Sequence, residues 1–264
     1  MGLAQEALGS RRYSVLTGYK FRGQQWCRHE TAQGRMLGLA GIPMKKVHRL
    51  ADHEWAQVAD LVVISPLNNF RPPAHEIFAQ EEMFRFLARI GEKSRASGKG
   101  KRIYCSRRDT TNRMMENEAE LIEAVAKQFG FVEVQLGEHS VDEQIAIFRE
   151  AEIAIGPIGN AFMNMAYMGP DARIVTFLPP ETWHFLPYYQ SFATAGGFDV
   201  HAVIGETSHS EGADLNALRW RVDIDAACKN VDAIIQQGDQ RQSLLERLMT
   251  WMTRRATSNT KDNT

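Results

Sequence analysis

The chain has 264 residues, and its 31 Lys and Arg against 32 Asp and Glu leave a formal net charge of −1, which speaks against charge-driven binding to nucleic acid or an anionic membrane. A hydrophobic fraction of 44% with 24% charged residues is that of a globular protein, and the length suits one or two domains of roughly 150 residues each. Three separated cysteines, Cys27, Cys105 and Cys228, form no CxxC pair, so neither a disulfide framework nor a cysteine zinc site is indicated. Reducing, cytoplasmic surroundings are expected. No apolar run approaches the roughly 20 residues of a membrane span, and residues 1–12 lack the apolar stretch of a secretion signal. A peripheral place at the inner face of a membrane, through a partner, stays open.

Residues 1–20 show no clean period. Residues 26–39 are rich in helix formers and stop at Gly41, Ile42 and Pro43, which predicts a helix with a glycine and proline stop. Residues 47–50 suit a short strand, and the run 58–65, closed by Pro66, reads as a strand buried on both faces. A loop is expected around Asn68, Asn69, Pro72 and Pro73. Ile77, Phe78, Phe84, Leu87 and Ile90 then recur at helical spacing. The small, polar and basic stretch 94–101 reads as an exposed linker between two halves.

Beyond it, strands are expected at 103–106, 131–136, 153–155, 174–178 and 200–204. Helices are expected at 118–129, from the Ser140 capping box to 151, at 161–168 and at 188–195. Such alternation implies parallel pairing with right-handed crossovers, hence a Rossmann-like α/β sheet. The pattern of Leu244, Leu245, Leu248, Met249, Trp251 and Met252 predicts a C-terminal helix, and 257–264 a disordered polar tail.

Ser106, Arg107, Arg108 and Asp109 follow a predicted strand, where ligands of open α/β sheets sit. Two adjacent guanidiniums there suit a diphosphate, although pairing of one arginine with Asp109 is the plainer use. Gly156, Pro157, Ile158, Gly159 and Asn160 link a strand to a helix, a turn that admits a phosphate to the backbone and helix terminus; a tight structural turn explains it equally. It is neither a Walker loop nor a dinucleotide fingerprint. Asn164 shares a helix face with Asn160. Asn117 and Glu118 open a helix, where capping is the ordinary role, and Gln144 is unremarkable on an amphipathic helix. His75, His139, His184 and His201 lack metal-ligand spacing, so no metal site is assigned. Met163, Met165 and Met168 read as core filler. GxSxG and HExxH motifs are absent.

Taken in order, Tyr104 to Arg108, Asn117 and Glu118, Gly130 and Phe131, Val141, Glu143, Gln144, Phe148 and Ala151, then Gly156, Gly159 and Asn164 resemble the core of glycosyltransferase family 61 over residues 103–206. Where the family pattern carries histidine between the two glycines, this chain has Ile158. The resemblance implies an α/β fold of two Rossmann-like lobes (GT-B type) with a short or incomplete amino-terminal lobe. Residues 1–100 would form the acceptor side and 101–256 the nucleotide-sugar side. It further implies inverting transfer of a hexose or pentose from a nucleotide-sugar to a glycan acceptor in polysaccharide or capsule assembly, with a homo-oligomer and a divalent metal left open. Arg107, Arg108, Gly156 and Gly159 would hold the diphosphate, while Asn117, Asn160 and Asn164 orient it or the sugar. Asp109 and Glu118 are the candidate bases. A non-catalytic nucleotide-sugar- or glycan-binding member is the alternative, favoured by Ile158; a nicotinamide oxidoreductase is disfavoured by the incomplete glycine fingerprint.

Overall fold

The computed structural model describes residues 15–18, 32–50, 68–69, 78–79, 81–209 and 214–240. The elements in the first hundred residues are β1 (Val15–Gly18), α1 (Ala32–Leu39), β2 (Val47–Leu50), β3 (Asn68–Asn69), β4 (Phe78–Ala79) and α2 (Glu81–Gly91). There follow β5 (Arg102–Cys105), β6 (Met114–Met115), α3 (Glu118–Phe129), β7 (Val132–Val134), α4 (Val141–Glu150), β8 (Ile153–Pro157) and β9 (Arg173–Leu178). The chain continues through α5 (Leu186–Gly196), β10 (Asp199–Ile204), β11 (Glu206–His209) and β12 (Arg219–Arg221) to a helix α6 over residues 224–240. The expected strand at 58–65, the apolar pattern at 244–252 and the tail at 257–264 lie outside the described residues.

The centre is a five-stranded parallel sheet in the order β10-β9-β8-β5-β7. The chain steps outward from β5 to β7, then crosses back over β5 to β8. With right-handed crossovers such a reversal puts the connecting helices on opposite faces. Accordingly α3 and α6 cover one face, where Leu121, Val125, Val231 and Ile234 join Tyr104, Ile155 and Phe177. α4 and α5 cover the other, where Ile147, Phe148 and Phe192 join Ile103, Ala154 and Ile174. The strand residues alternate between the two clusters because successive side chains leave a strand on opposite sides. β8 is buried along its whole length, as expected of a strand covered on both faces.

Local chemistry sets the helix ends. The Ser140 hydroxyl accepts the Glu143 N–H at 3.4 Å while Glu143 accepts the Ser140 N–H at 2.8 Å, a reciprocal cap opening α4. Gly130 closes α3 at φ 73°, a conformation that glycine adopts without Cβ strain.

Several expectations change. Residues 94–101 form a loop, exposed at Arg95, Ser97, Lys99, Gly100 and Lys101, that is tied to the second half: Ser94 is buried and its hydroxyl donates to Asp142 O at 2.9 Å. The Gly98 N–H donates to Glu150 at 2.9 Å. α2 lies against the second-half core through Met83, Phe84 and Leu87, and α1 reaches it through an Arg35–Asp142 pair at 2.5 Å. Phe78 belongs to β4, not to the helix, and Asn68 and Asn69 pair with it as β3. β2 pairs in parallel with β1, in a stretch without a readable period. The helix expected at 161–168 is a 3-10 helix, Asn160–Tyr167. A small sheet, β11-β12-β6, was not foreseen. Among the described residues no helix is long and apolar enough to cross a membrane.

Candidate functional site

Parallel open sheets bind ligands at the carboxyl ends of their strands, where the strand order reverses. Here the reversal lies between β5 and β8, and a cavity of about 450 Å³ opens there. One wall is the loop after β5, with Ser106, Arg107, Asp109 and Arg113; the other is the start of the 3-10 helix after β8, with Asn160 and Asn164. Leu136, Gly137 and Gln144 form the third side. The volume falls within the ordinary range for small-molecule sites, about 300–1,000 Å³.

The loop is held from below. Glu118 is buried and accepts the Arg107 backbone N–H at 2.8 Å; burial raises its carboxyl pKa, with the Arg107 and Ser106 hydrogen bonds opposing. It supports the loop and is not part of the cavity wall. Asn117 is buried too and does not cap α3 with its side chain. Its amide instead donates to Val222 O at 2.8 Å and accepts the Val222 N–H at 3.2 Å, tying the loop to the segment after β12.

Two guanidiniums share the cavity. Arg107 donates to Asn112 O at 3.0 Å, and Arg113 donates to Asn216 Oδ1 at 3.3 Å. The Nε atoms of both are buried and have no hydrogen-bond partner. Burial lowers the Arg107 pKa and the neighbouring Arg113 charge lowers it further. Two like charges in one cavity wall are suited to an anion. Arg113 sits at φ 51°, a rare conformation for a residue with a side chain. Its backbone N–H donates to Asn216 O at 2.9 Å, and its carbonyl accepts the Trp220 indole N–H at 2.8 Å.

Arg108 stands apart, its guanidinium bonded to both Glu133 oxygens at 3.0 and 3.1 Å. The ion pair expected of one arginine exists, with Glu133 in place of Asp109. Gly156 and Gly159 shape the site from behind. A Cβ on Gly156, at φ 153°, would meet the Cys105 carbonyl. Gly159 has an extended backbone, φ 179°, so no left-handed turn demands glycine; a Cβ there would fall on the Arg107 guanidinium. The Gly159 carbonyl accepts the buried Tyr189 hydroxyl at 3.0 Å, and burial lifts that phenol to about 12. Ile158 is 3% exposed and packs in the core with Phe162, Met165 and Tyr189. Met165 and Met168 are core residues, as expected.

Of the residues anticipated from sequence, Arg107, Asp109, Asn160 and Asn164 thus meet in the cavity wall, while Arg108, Asn117, Glu118, Gly156 and Gly159 stand outside it. Arg113 and Gln144 were not anticipated as site residues. Their signal was position alone: Arg113 lies in the polar loop from the strand end, and Gln144 on a helix facing it. Among the described residues no group of three or more His, Cys, Asp or Glu could hold a metal ion.

The family model described as Glycosyltransferase 61 matches residues 30–175, more than half of the chain and the stretch that builds both principal walls. Comparison with curated proteins finds no match.

Proposed function

The chain belongs to glycosyltransferase family 61, and on that premise we propose that it moves a sugar from a nucleotide-sugar donor to a glycan or polysaccharide acceptor. The observation that carries the reading is the pair of guanidinium side chains, Arg107 and Arg113, in the wall of one cavity at the carboxyl edge of the sheet. A diphosphate accepts hydrogen bonds from guanidinium N–H groups on that wall. It also relieves the repulsion between them, and it accumulates charge as the sugar leaves, where fixed donors lower the barrier. Asp109 is the carboxylate in the cavity wall, and it is the group assigned to take the acceptor hydroxyl proton in an inverting displacement. Glu118 acts through the Arg107 backbone and is a positioning residue. A two-lobed GT-B arrangement, with amino-terminal residues on the acceptor side, belongs to the same reading, as does work in capsule or polysaccharide assembly at the cytoplasmic face of a membrane.

A second reading rests on Ile158, which stands where the family pattern has histidine. An apolar, core-packed side chain transfers no proton, and the protein would then bind a nucleotide-sugar or glycan without turning it over.

Calorimetric titration of uridine, guanosine, adenosine and cytidine diphosphates, followed by donor hydrolysis assays, tests both. Arg107→Ala and Arg113→Ala should each lower affinity by about 1.5–3 kcal/mol, the range for hydrogen bonds to charged groups, while Arg108→Ala stays near the parent. Unchanged affinity in both cavity variants removes the diphosphate assignment. Binding with no turnover across a donor panel supports the second reading.

A further inference from the structure

Gln144 lies on α4 and Asn164 on the 3-10 helix opposite, both in the cavity wall. The Gln144 amide nitrogen donates to Leu136 O at 2.9 Å and to His139 O at 3.0 Å. Two carbonyls within reach of one amide atom fix that atom as nitrogen, because an oxygen there would face acceptors only. Both of its N–H groups are therefore committed to the backbone. The other end, Oε1, meets Asn164 Nδ2 at 3.4 Å, the long limit of a hydrogen bond. The cavity is therefore polar in two senses: guanidinium donors on the β5 side, and on the α4 side a carbonyl oxygen that can only accept.

Resting on the diphosphate reading above, we propose that Gln144 and Asn164 form a hydroxyl-reading subsite for the ribose or sugar of the same ligand. A phosphate oxygen is an acceptor and gains nothing from Gln144 Oε1. A hydroxyl donates to Oε1 and accepts from Asn164 Nδ2, replacing their long mutual contact with two bonds of ordinary length. The two sides thus sort the ends of one molecule, anion to Arg107 and Arg113, polyol to Gln144 and Asn164. Such sorting fixes the direction in which the ligand lies, as an in-line displacement requires.

The experiment compares inorganic pyrophosphate, which has no hydroxyl-bearing carbon, with the four nucleoside diphosphates and their glucose conjugates, by calorimetry. The parent protein should bind its best hydroxyl-bearing ligand at least about tenfold more tightly than pyrophosphate. Gln144→Met should shrink that advantage to about threefold or less while leaving pyrophosphate affinity unchanged, which a general collapse of the site would not do. Asn164→Ala, which removes no bond to Leu136 or His139, should act in the same direction and serves if Gln144→Met unfolds. Equal loss for nucleoside diphosphates and conjugates assigns the subsite to ribose; loss confined to conjugates assigns it to the transferred sugar. An advantage undiminished in both variants, or absent from the parent, overturns the subsite while pyrophosphate binding keeps the diphosphate reading alive. Failure of the parent to bind pyrophosphate or any nucleoside diphosphate overturns both.

Discussion

The two edges of the central sheet each carry a cavity with two arginines, and they use them in opposite ways. At the amino edge, a cavity of about 410 Å³ is lined by Arg149 and Arg173. Arg149 donates to the carbonyls of Gly91, Ser94 and Ala96, at 2.6 Å in the shortest case. Arg173 donates to Ile234 and Ile235 of α6 at 2.9 and 3.0 Å, and Gly238 leaves room for its guanidinium. These arginines close off backbone carbonyls, including one at the C-terminal end of α2, where a cation also suits the helix dipole. At the carboxyl edge, Arg107 and Arg113 keep buried donors without partners. Cavity size is similar at both edges, but Glu150, Glu152, Asp171 and Asp199 line the amino one, against Asp109 alone at the carboxyl one; what separates a candidate site from a structural joint is uncompensated cationic charge together with hydrogen-bond capacity left open after folding.

The amino edge should respond in stability alone. Arg149→Ala strips three carbonyls of a charged donor and should lower the unfolding free energy by about 3 kcal/mol, with nucleoside diphosphate affinity unchanged. Urea unfolding and calorimetry on the same variant check this. A fall in affinity as large as that in stability would dissolve the distinction between the edges.

The carboxyl edge should respond the other way. Arg107→Met removes a desolvated cation from beside Arg113, so thermal unfolding of the ligand-free protein should be unchanged or shifted upward by about 1 kcal/mol, although ligand affinity falls as it does in Arg107→Ala. A destabilisation matching that of Arg149→Ala would mean that Arg107 is a structural residue.

Gly159→Ala is a smaller probe of the same point. The extended backbone accepts alanine without strain, but the new Cβ displaces the Arg107 guanidinium. The expected cost is about 1 kcal/mol of diphosphate binding with little change in melting temperature. A stability loss with normal binding would place the constraint in the backbone.

The central sheet and its helices were legible because β5, β7, β8, β9 and β10 each fall in a short, largely apolar run and the helices have chemical punctuation, as at Ser140 and Gly130. The strands β6, β11 and β12 were not, being two to four residues long and set among polar residues that look like any loop. The carboxyl-edge location of the site was legible from Ser106, Arg107 and Gly159. Which arginine enters it was not: Arg107 and Arg108 are neighbours in sequence, and only the β5–β7 pairing, which sets Glu133 opposite Tyr104, puts a carboxylate within reach of Arg108. Arg113 was hidden because its approach to Arg107 depends on a positive φ and on Asn216, about a hundred residues away. Asn117 and Glu118 were read as capping residues with a possible ligand role, since nothing local announces Val222 or the underside of the Arg107 turn.

The finest distinction concerns Glu118, the buried carboxylate beneath the open arginines. Burial raises its folded-state pKa above the ordinary 4.5, so over the interval between those values the native protein binds more protons than the unfolded chain. Stability attributable to this group is therefore greatest below about 4.5 and is lost as pH rises through the folded-state pKa. Glu118→Gln keeps an oxygen for the Arg107 N–H and removes the titration. Asp142, whose carboxyl is held low by its hydrogen bond to Arg35, gives the opposite slope: its stabilisation is present above the ordinary aspartate value and is lost as pH falls through its folded-state value. It does so equally in parent and variant, so it cancels when the two are subtracted. The parent-minus-variant unfolding free energy should then decline in urea titrations as pH rises from the ordinary carboxylate value through the folded-state one. If it rises instead, the carboxylate is net stabilised by the Arg107 and Arg108 charges above it. The carboxyl edge would then be internally compensated, as the arginines of the amino edge are by backbone carbonyls, with no standing demand for an anionic ligand.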